Sequence, residues 1–257
     1  MTPSTIHAAV VQFPITMDLD RNVDALTRLV ETLPTGALAV APEGALSGYL
    51  PRPDVVDHLD PEATSKAIDH ASELSKRCGV HLIAGACVPD GDLWRNRSYV
   101  FTPQGERFHY DKINLATSER GVFAQGDQLP VFNLCIGTTQ VKVGIQMCRE
   151  VRYAEQWRAL ARAGAQVIAY TNNAVGSTIG DALWRSHVVS RAGETQRFVL
   201  GANNADPRQT CPSLIVSPGG DLLCEMRGDV LGCASAEIDL ASVSDWTLNQ
   251  ARDDLNL

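Results

Sequence analysis

Long basic runs, cysteine pairs at metal-binding spacing, glycine-rich nucleotide loops and membrane-length apolar segments are all missing from these 257 residues. No run of Lys or Arg exceeds two, and 22 basic residues face 30 acidic ones, a formal charge of −8. This balance argues against nucleic acid or an anionic membrane as the main partner. No apolar stretch approaches the roughly 20 residues of a membrane span. The opening Met1-Thr-Pro-Ser-Thr-Ile-His lacks the basic and apolar regions of a secretion signal. A soluble, cytoplasmic protein is expected. The seven cysteines form no CxxC pair and have no histidine at zinc-finger spacing, so neither a disulfide scaffold nor a structural metal is expected. Each is read by default as a small buried hydrophobe. No GxGxxG follows the first strand-like run, and six scattered histidines form no His-x-His cluster, which argues against a dinucleotide or metal enzyme.

What the chain does contain is a series of short apolar runs alternating with amphipathic stretches, without internal repeat, low-complexity tract or linker. One domain over 1–257 is the simplest organisation, and a globule of this size buries about 70–75% of its unfolded surface. Residues 6–13 read as a buried strand, and 19–33 carry apolar side chains at helical spacing. A strand over 37–41 stops at Pro42. Residues 61–78 read as a helix with Pro61 in its first turn and Gly79 past its end, followed by a strand over 80–88. Strand pairs are expected at 98–102 with 107–112 and at 131–135 with 141–147. A helix over 153–163, a strand over 166–170, a helix over about 181–197 and strands at 198–203, 213–216, 222–225 and 231–238 complete the pattern. These are too many strands for one small sheet. Two packed sheets with helices on both flanks fit better than a doubly wound single sheet.

In α/β layers reactive groups gather at the carboxyl ends of strands. Cys148 follows the strand-like run 141–147 and precedes what reads as a helix start. There, free N–H groups and the positive helix end would favour a thiolate and hold an oxyanion. The alternative is a buried cysteine at a core edge. Glu43 follows a buried strand beside a Gly-containing loop, where a carboxylate base of raised pKa can be built; a cap or a solvated loop acid is the other reading. Lys112 ends a hairpin strand and reads equally as an edge lysine facing water. Glu119, in a polar loop, has almost no signal of its own.

Their order and flanks carry more. Pro42-Glu43 with Gly48-Tyr49, Asp111-Lys112-Ile-Asn-Leu115 and Gly144-Ile-Gln-Met-Cys148-Arg-Glu-Val-Arg152 together resemble the carbon–nitrogen hydrolase (nitrilase) superfamily. Glu119 with Gly126-Asp127, the strand at 164–168, Arg191-Ala-Gly-Glu194 with Asn203, and the closing runs 213–219 and 236–239 extend the likeness over nearly the whole chain. The resemblance implies a four-layer αββα sandwich that assembles as a homodimer or higher homo-oligomer. It implies Cys148 as nucleophile, Glu43 as general base, Lys112 as the cation near the oxyanion and Glu119 as the second acid, with no metal and no organic cofactor. The implied substrate is a small carboxamide or N-carbamoyl compound. A nitrile, or a catalytically silent homologue, is the alternative.

Four positions are candidates to touch substrate: Tyr49, Arg149, Asn172 and Asn173. Arg149 stands where the family often has an aromatic residue, and an outward-pointing surface arginine is its other reading. Thr171-Asn-Asn173 replaces a frequent Pro with a nearby Trp, which implies a more polar pocket wall or a stabilised turn. Arg152 occupies a position where some carboxylate-recognising members carry arginine, but an ion pair with Glu155 or Glu150 is the favoured reading. Specificity is expected from loops 49–60, 114–130 and 172–182.

Overall fold

Side-chain alternation along the strands sorts the apolar residues into three layers of core. In the computed structural model, residues 4–176 and 180–250 are described, apart from the Asp181 side chain. The strands are β1 (Thr5–Gln12), β2 (Leu38–Val40), β3 (His81–Asp90), β4 (Leu93–Phe101), β5 (Arg107–Asp111), β6 (Val131–Ile136), β7 (Thr139–Met147), β8 (Val167–Thr171), β9 (Phe198–Ala202), β10 (Ser213–Val216), β11 (Leu222–Met226) and β12 (Gly232–Asp239). The helices are α1 (Leu19–Val30), α2 (Pro61–Cys78), α3 (Ala154–Arg162), α4 (Asp181–Thr195) and α5 (Trp246–Asn249). Successive strand residues point to opposite faces. Val141, Val143, Ile145 and Met147 of β7 therefore enter the same central core as Val167 and Ala169 of β8 and Leu38 and Val40 of β2. Ile168 and Tyr170 face outward with Trp157 and Leu160 of α3 and Trp184 and Val188 of α4. On the opposite flank Ala39 joins Leu26 of α1 and Ile68, Ala71 and Leu74 of α2.

The result is helices, sheet, sheet, helices: the expected αββα sandwich, with the order β12-β1-β2-β3-β4-β5 in one sheet and β11-β10-β9-β8-β7-β6 in the other. Within the first, β1, β2 and β3 are parallel; within the second, β7, β8 and β9 are. Local signals acted where expected. Asp60 caps α2 by accepting from Glu62 and Ala63 N–H, Pro61 opens it, and Gly79 ends it in the left-handed region. None of the described helices is long and apolar enough to cross a membrane. Of the seven cysteines only Cys87 and Cys211 are fully buried and Cys135 is exposed, which corrects the uniform buried-hydrophobe reading. The strand Cys135 occupies, β6, is a sheet edge with one wet face.

Candidate active site

Because β5 is antiparallel to β4, and β4 to β3, the strands β2, β3 and β5 share one direction. Their carboxyl ends, and those of β7 and β8, carry the expected site residues. Glu43 lies three residues past β2, Lys112 immediately past β5, Cys148 immediately past β7 and Asn172 immediately past β8. The sheets are tied together here. Ser98 and Thr171 hydroxyls lie 2.8 Å apart across the sandwich, and the Glu43 N–H donates to the Asn172 carbonyl at 3.2 Å. Gly85 of β3 lets the Glu43 segment lie directly on the strand. A Cβ there would meet Glu43 Cα at 2.7 Å and Gly44 N at 2.8 Å.

Lys112 is buried, not the solvated edge lysine of the alternative reading. Its Nζ donates to Glu43 Oε1 and Glu119 Oε1, each at 2.8 Å. The Asn96 amide donates to the same two oxygens at 2.7 Å each. Glu119 accepts further from Tyr49 Oη at 3.0 Å and, through Oε2, from the Ala116 N–H at 2.5 Å. Glu43 Oε2 is buried and accepts from nothing. The two acids consequently differ. Burial pushes the Glu43 carboxyl up; Lys112 pulls it down, the Glu119 charge opposes that, and it ends above the usual carboxylate range. Burial raises Glu119 too, but Lys112, the Ala116 N–H and Asn96 outweigh it and leave Glu119 below that range. Burial lowers Lys112, yet the Glu119 and Glu43 charges hold its ammonium well above the ordinary lysine value.

The Cys148 thiol is raised, by burial first and then by the Glu43 carboxylate, against the Lys112 charge and a hydrogen bond from the Asn173 backbone. The balance favours the protonated thiol over the thiolate that a helix start alone would favour, so attack calls for a base. The local element differs as well. Cys148–Arg152 forms a single 3₁₀ turn with Cys148 at φ +41°, and α3 begins only at Ala154. A non-glycine residue in that region is held by its surroundings. The holder is Glu150, fully buried, whose carboxylate accepts from Met147 N–H (2.8 Å), Tyr110 Oη (2.7 Å), and Ile113 and Asn114 N–H (2.9 Å each). It joins the cysteine turn to the stretch just after Lys112. Sequence reasoning missed Glu150 and Asn96 as site residues.

A protein-family model described as carbon-nitrogen hydrolase matches residues 7–247. The chain belongs to the carbon–nitrogen hydrolase family. It is 28% identical to the omega-amidase NIT2 of Xenopus tropicalis over 253 residues, spanning 90% of this chain and 88% of the relative. It is 29% identical to a nitrilase of Pyrococcus abyssi over 258 residues, with 96% and 95% covered. Among solved structures, a mutant amidase from Nesterenkonia AN1 superposes with a TM-score of 0.82 at 21% identity, covering 97% of this chain and 95% of that one.

Within this carbon–nitrogen hydrolase the four substrate-facing candidates fare differently. The Tyr49 hydroxyl is engaged on Glu119. Asn173 spends its side chain on the Glu43 carbonyl (3.4 Å) and on Asn204 (3.0 Å), while its N–H serves the Cys148 thiol. Asn172 is buried with both side-chain polar atoms unpartnered, and Arg149 Nε is likewise buried and unpartnered. Arg152 makes no ion pair with Glu150 or Glu155 among the described residues; its guanidinium lies 5.7 Å over the Trp184 ring. The favoured ion-pair reading is thus replaced by a cation–π contact, because Glu150 is fully used by four neutral donors. Residues 177–179 of the expected specificity loop lie outside the described residues. Among those described, no group of three or more His, Cys, Asp or Glu is placed to hold a metal ion.

Proposed function

We propose that this hydrolase cleaves a small carboxamide or N-carbamoyl compound to acid plus ammonia or amine through a thioester on Cys148. The observation that carries the reading is one buried ammonium shared by two carboxylates, of which Glu43 keeps a bare oxygen and the raised proton affinity, beside the Cys148 thiol. An amide carbonyl is a weak electrophile, so the thiol must lose its proton as it attacks. Glu43, with a bare oxygen and raised proton affinity, is the group suited to take it. Lys112 and the Arg149 N–H, which lies in the first turn of the 3₁₀ element and lacks an intrahelical acceptor, stabilise the developing oxyanion. Protonated Glu43 then gives its proton to the departing nitrogen. The same carboxylate removes a proton from water, which attacks the thioester; the Cys148 thiolate leaves, the acid is released, and Glu43 returns the proton to the sulfur. Glu119 stays ionised throughout, fixing Lys112 and Tyr49. Asn172, just past β8, and Arg149, next to Cys148, carry unpartnered polar atoms at these strand ends and contact substrate.

Relatives named as amidases support the amide reading. In the Nesterenkonia enzyme the acetamide moiety of fluoroacetamide is found added to the active-site cysteine. The relative named nitrilase supports testing nitriles beside amides. Protein quenched after brief incubation with amides, carbamoyl acids and nitriles should show an acyl mass adduct on Cys148 and release ammonia from an amide. The adduct should vanish in Cys148→Ala. The absence of both adduct and ammonia with every amide and carbamoyl compound would overturn the reading; turnover of nitriles alone would replace it with a nitrilase, and a biological role left intact by Cys148→Ala would return the silent-homologue reading. We further propose one domain over 1–257, a cytoplasmic setting suited to seven cysteines with no CxxC pair or disulfide-scaffold spacing, and a homo-oligomer that covers exposed apolar residues such as Trp246, Val230 and Leu231.

A further inference from the structure

Asn96 lies in the polar first half of β4 and is 1% exposed. Its amide nitrogen and the Lys112 ammonium bridge the same two oxygens, Glu43 Oε1 and Glu119 Oε1, in a closed ring of four hydrogen bonds. The amide can face only one way. A carbonyl oxygen turned toward two carboxylates would be repelled, whereas the NH₂ group has two hydrogens to give. That orientation leaves Asn96 Oδ1 buried without a partner, a cost that a space-filling apolar residue would not carry. The Asn96 backbone carbonyl accepts the Lys112 backbone N–H at 2.9 Å, which fixes the two donors relative to each other.

A neutral donor does something here that a second cation would not. It draws two carboxylates onto shared contacts without adding charge that would pin Glu43 in its ionised form and weaken it as a base. We infer that Asn96 is a positioning residue of the hydrolase, its amide holding Glu43 and Glu119 against the single ammonium of Lys112 so that the free oxygen of Glu43 serves the Cys148 thiol. The inference rests on the reading of Glu43 as base and Cys148 as nucleophile. Removing the amide takes one hydrogen bond from the charged form of Glu43, so its proton affinity rises and the ionised base is lost at higher pH. Placing a carboxylate at position 96 repels both glutamates.

The test compares the native protein with Asn96→Leu and the near-isosteric Asn96→Asp. The rate of Cys148 alkylation by iodoacetamide is followed against pH by mass spectrometry. Thermal melts, and kcat and KM on an amide the native enzyme hydrolyses, accompany it. For Asn96→Leu, kcat should fall about tenfold to a hundredfold, the effect of losing a hydrogen bond to a charged group, with KM changed less. The acid limbs of both alkylation and kcat should move to higher pH. Asn96→Asp should be the more impaired of the two. If Asn96→Leu does not fold, Asn96→Ala carries the same expectation. An Asp variant close to native, or acid limbs that stay in place, would overturn the inference and leave Asn96 a filler of space. A native Cys148 that resists iodoacetamide at every pH would instead strike the nucleophile reading on which the inference rests.

Discussion

Two glutamates that share one ammonium differ because of what else reaches their oxygens. Glu119 accepts from Lys112, Asn96, Tyr49 and the Ala116 N–H; Glu43 accepts from Lys112 and Asn96 and has one oxygen bare. The first is a fixed charge and the second a group that can exchange a proton. Removing Lys112 exposes the cost of the arrangement. Lys112→Met leaves two buried carboxylates without a cation and should lower stability by about 3–5 kcal/mol at neutral pH. Without Lys112 both carboxyls are raised above their unfolded values by burial. The variant's remaining stability is then greatest below the ordinary carboxylate pKa and is lost as pH rises through the raised folded values, so its deficit against the native protein should shrink on acidification. Denaturant melts at several pH values read this directly, and a deficit independent of pH would contradict it. Lys112→Arg should not restore activity, because a planar fork does not fit a site built for a point charge. Glu43 and Cys148 follow apolar strand runs and Lys112 closes a hairpin strand, but none of these positions spoke alone; their order and the family resemblance made them legible, and Glu119 rested on that resemblance entirely. Asn96 was not, because Leu93-Trp-Arg-Asn-Arg97 alternates too weakly to read as strand and the expected strand began at 98.

At the scale of elements, the cysteine turn shows where local pattern stops informing. Apolar spacing finds α3 within a residue of each end, but what shapes 148–152 is Glu150, whose partner Tyr110 lies in β5 of the other sheet and whose partners Ile113 and Asn114 lie in the bend just after that strand. Pairing across the sandwich has the same character. β12 closes the first sheet by pairing Thr5 with Asp239, a contact no local periodicity contains, although both strands were legible singly. Glu150 couples the two sheets where the proposed nucleophile and Lys112 meet, so its loss should be felt on both sides. In Glu150→Ala four donors lose their acceptor, and burial of even some of them unpaired should cost about 3 kcal/mol or more. Tyr110→Phe removes one of the four and should cost about 1.5–3 kcal/mol, as for a hydrogen bond to a charged group. Chemical denaturation checks both. Iodoacetamide labelling should also show Cys148 in Glu150→Ala losing its native pH profile, since its φ of +41° is no longer held.

For the whole molecule, acid acts on the chemistry and on the fold through different groups. Protonation of Glu43 stops the proposed chemistry without unfolding anything. His81 acts on the fold. It opens β3 and is 2% exposed; both ring nitrogens lack partners, and burial brings its pKa down to about 4. The unfolded chain, with a histidine near 6.5, binds the proton first. Stability is therefore whole above that value and falls as pH drops toward the folded value of about 4, by roughly 3 kcal/mol in all at 1.36 kcal/mol per unit. His81→Leu removes the titrating ring and its two unpaired atoms. Guanidinium unfolding at pH 7 and pH 4.5 should show the native protein losing roughly 2–3 kcal/mol more than the variant between the two conditions. The acid limb of kcat/KM should be the same in both, because His81 opens β3 four residues, about 13 Å of strand, before Gly85, where Glu43 lies. Should that limb move with the stability of the variant, the loss of activity in acid would be unfolding, and the assignment of Glu43 as the base would lose its pH signature.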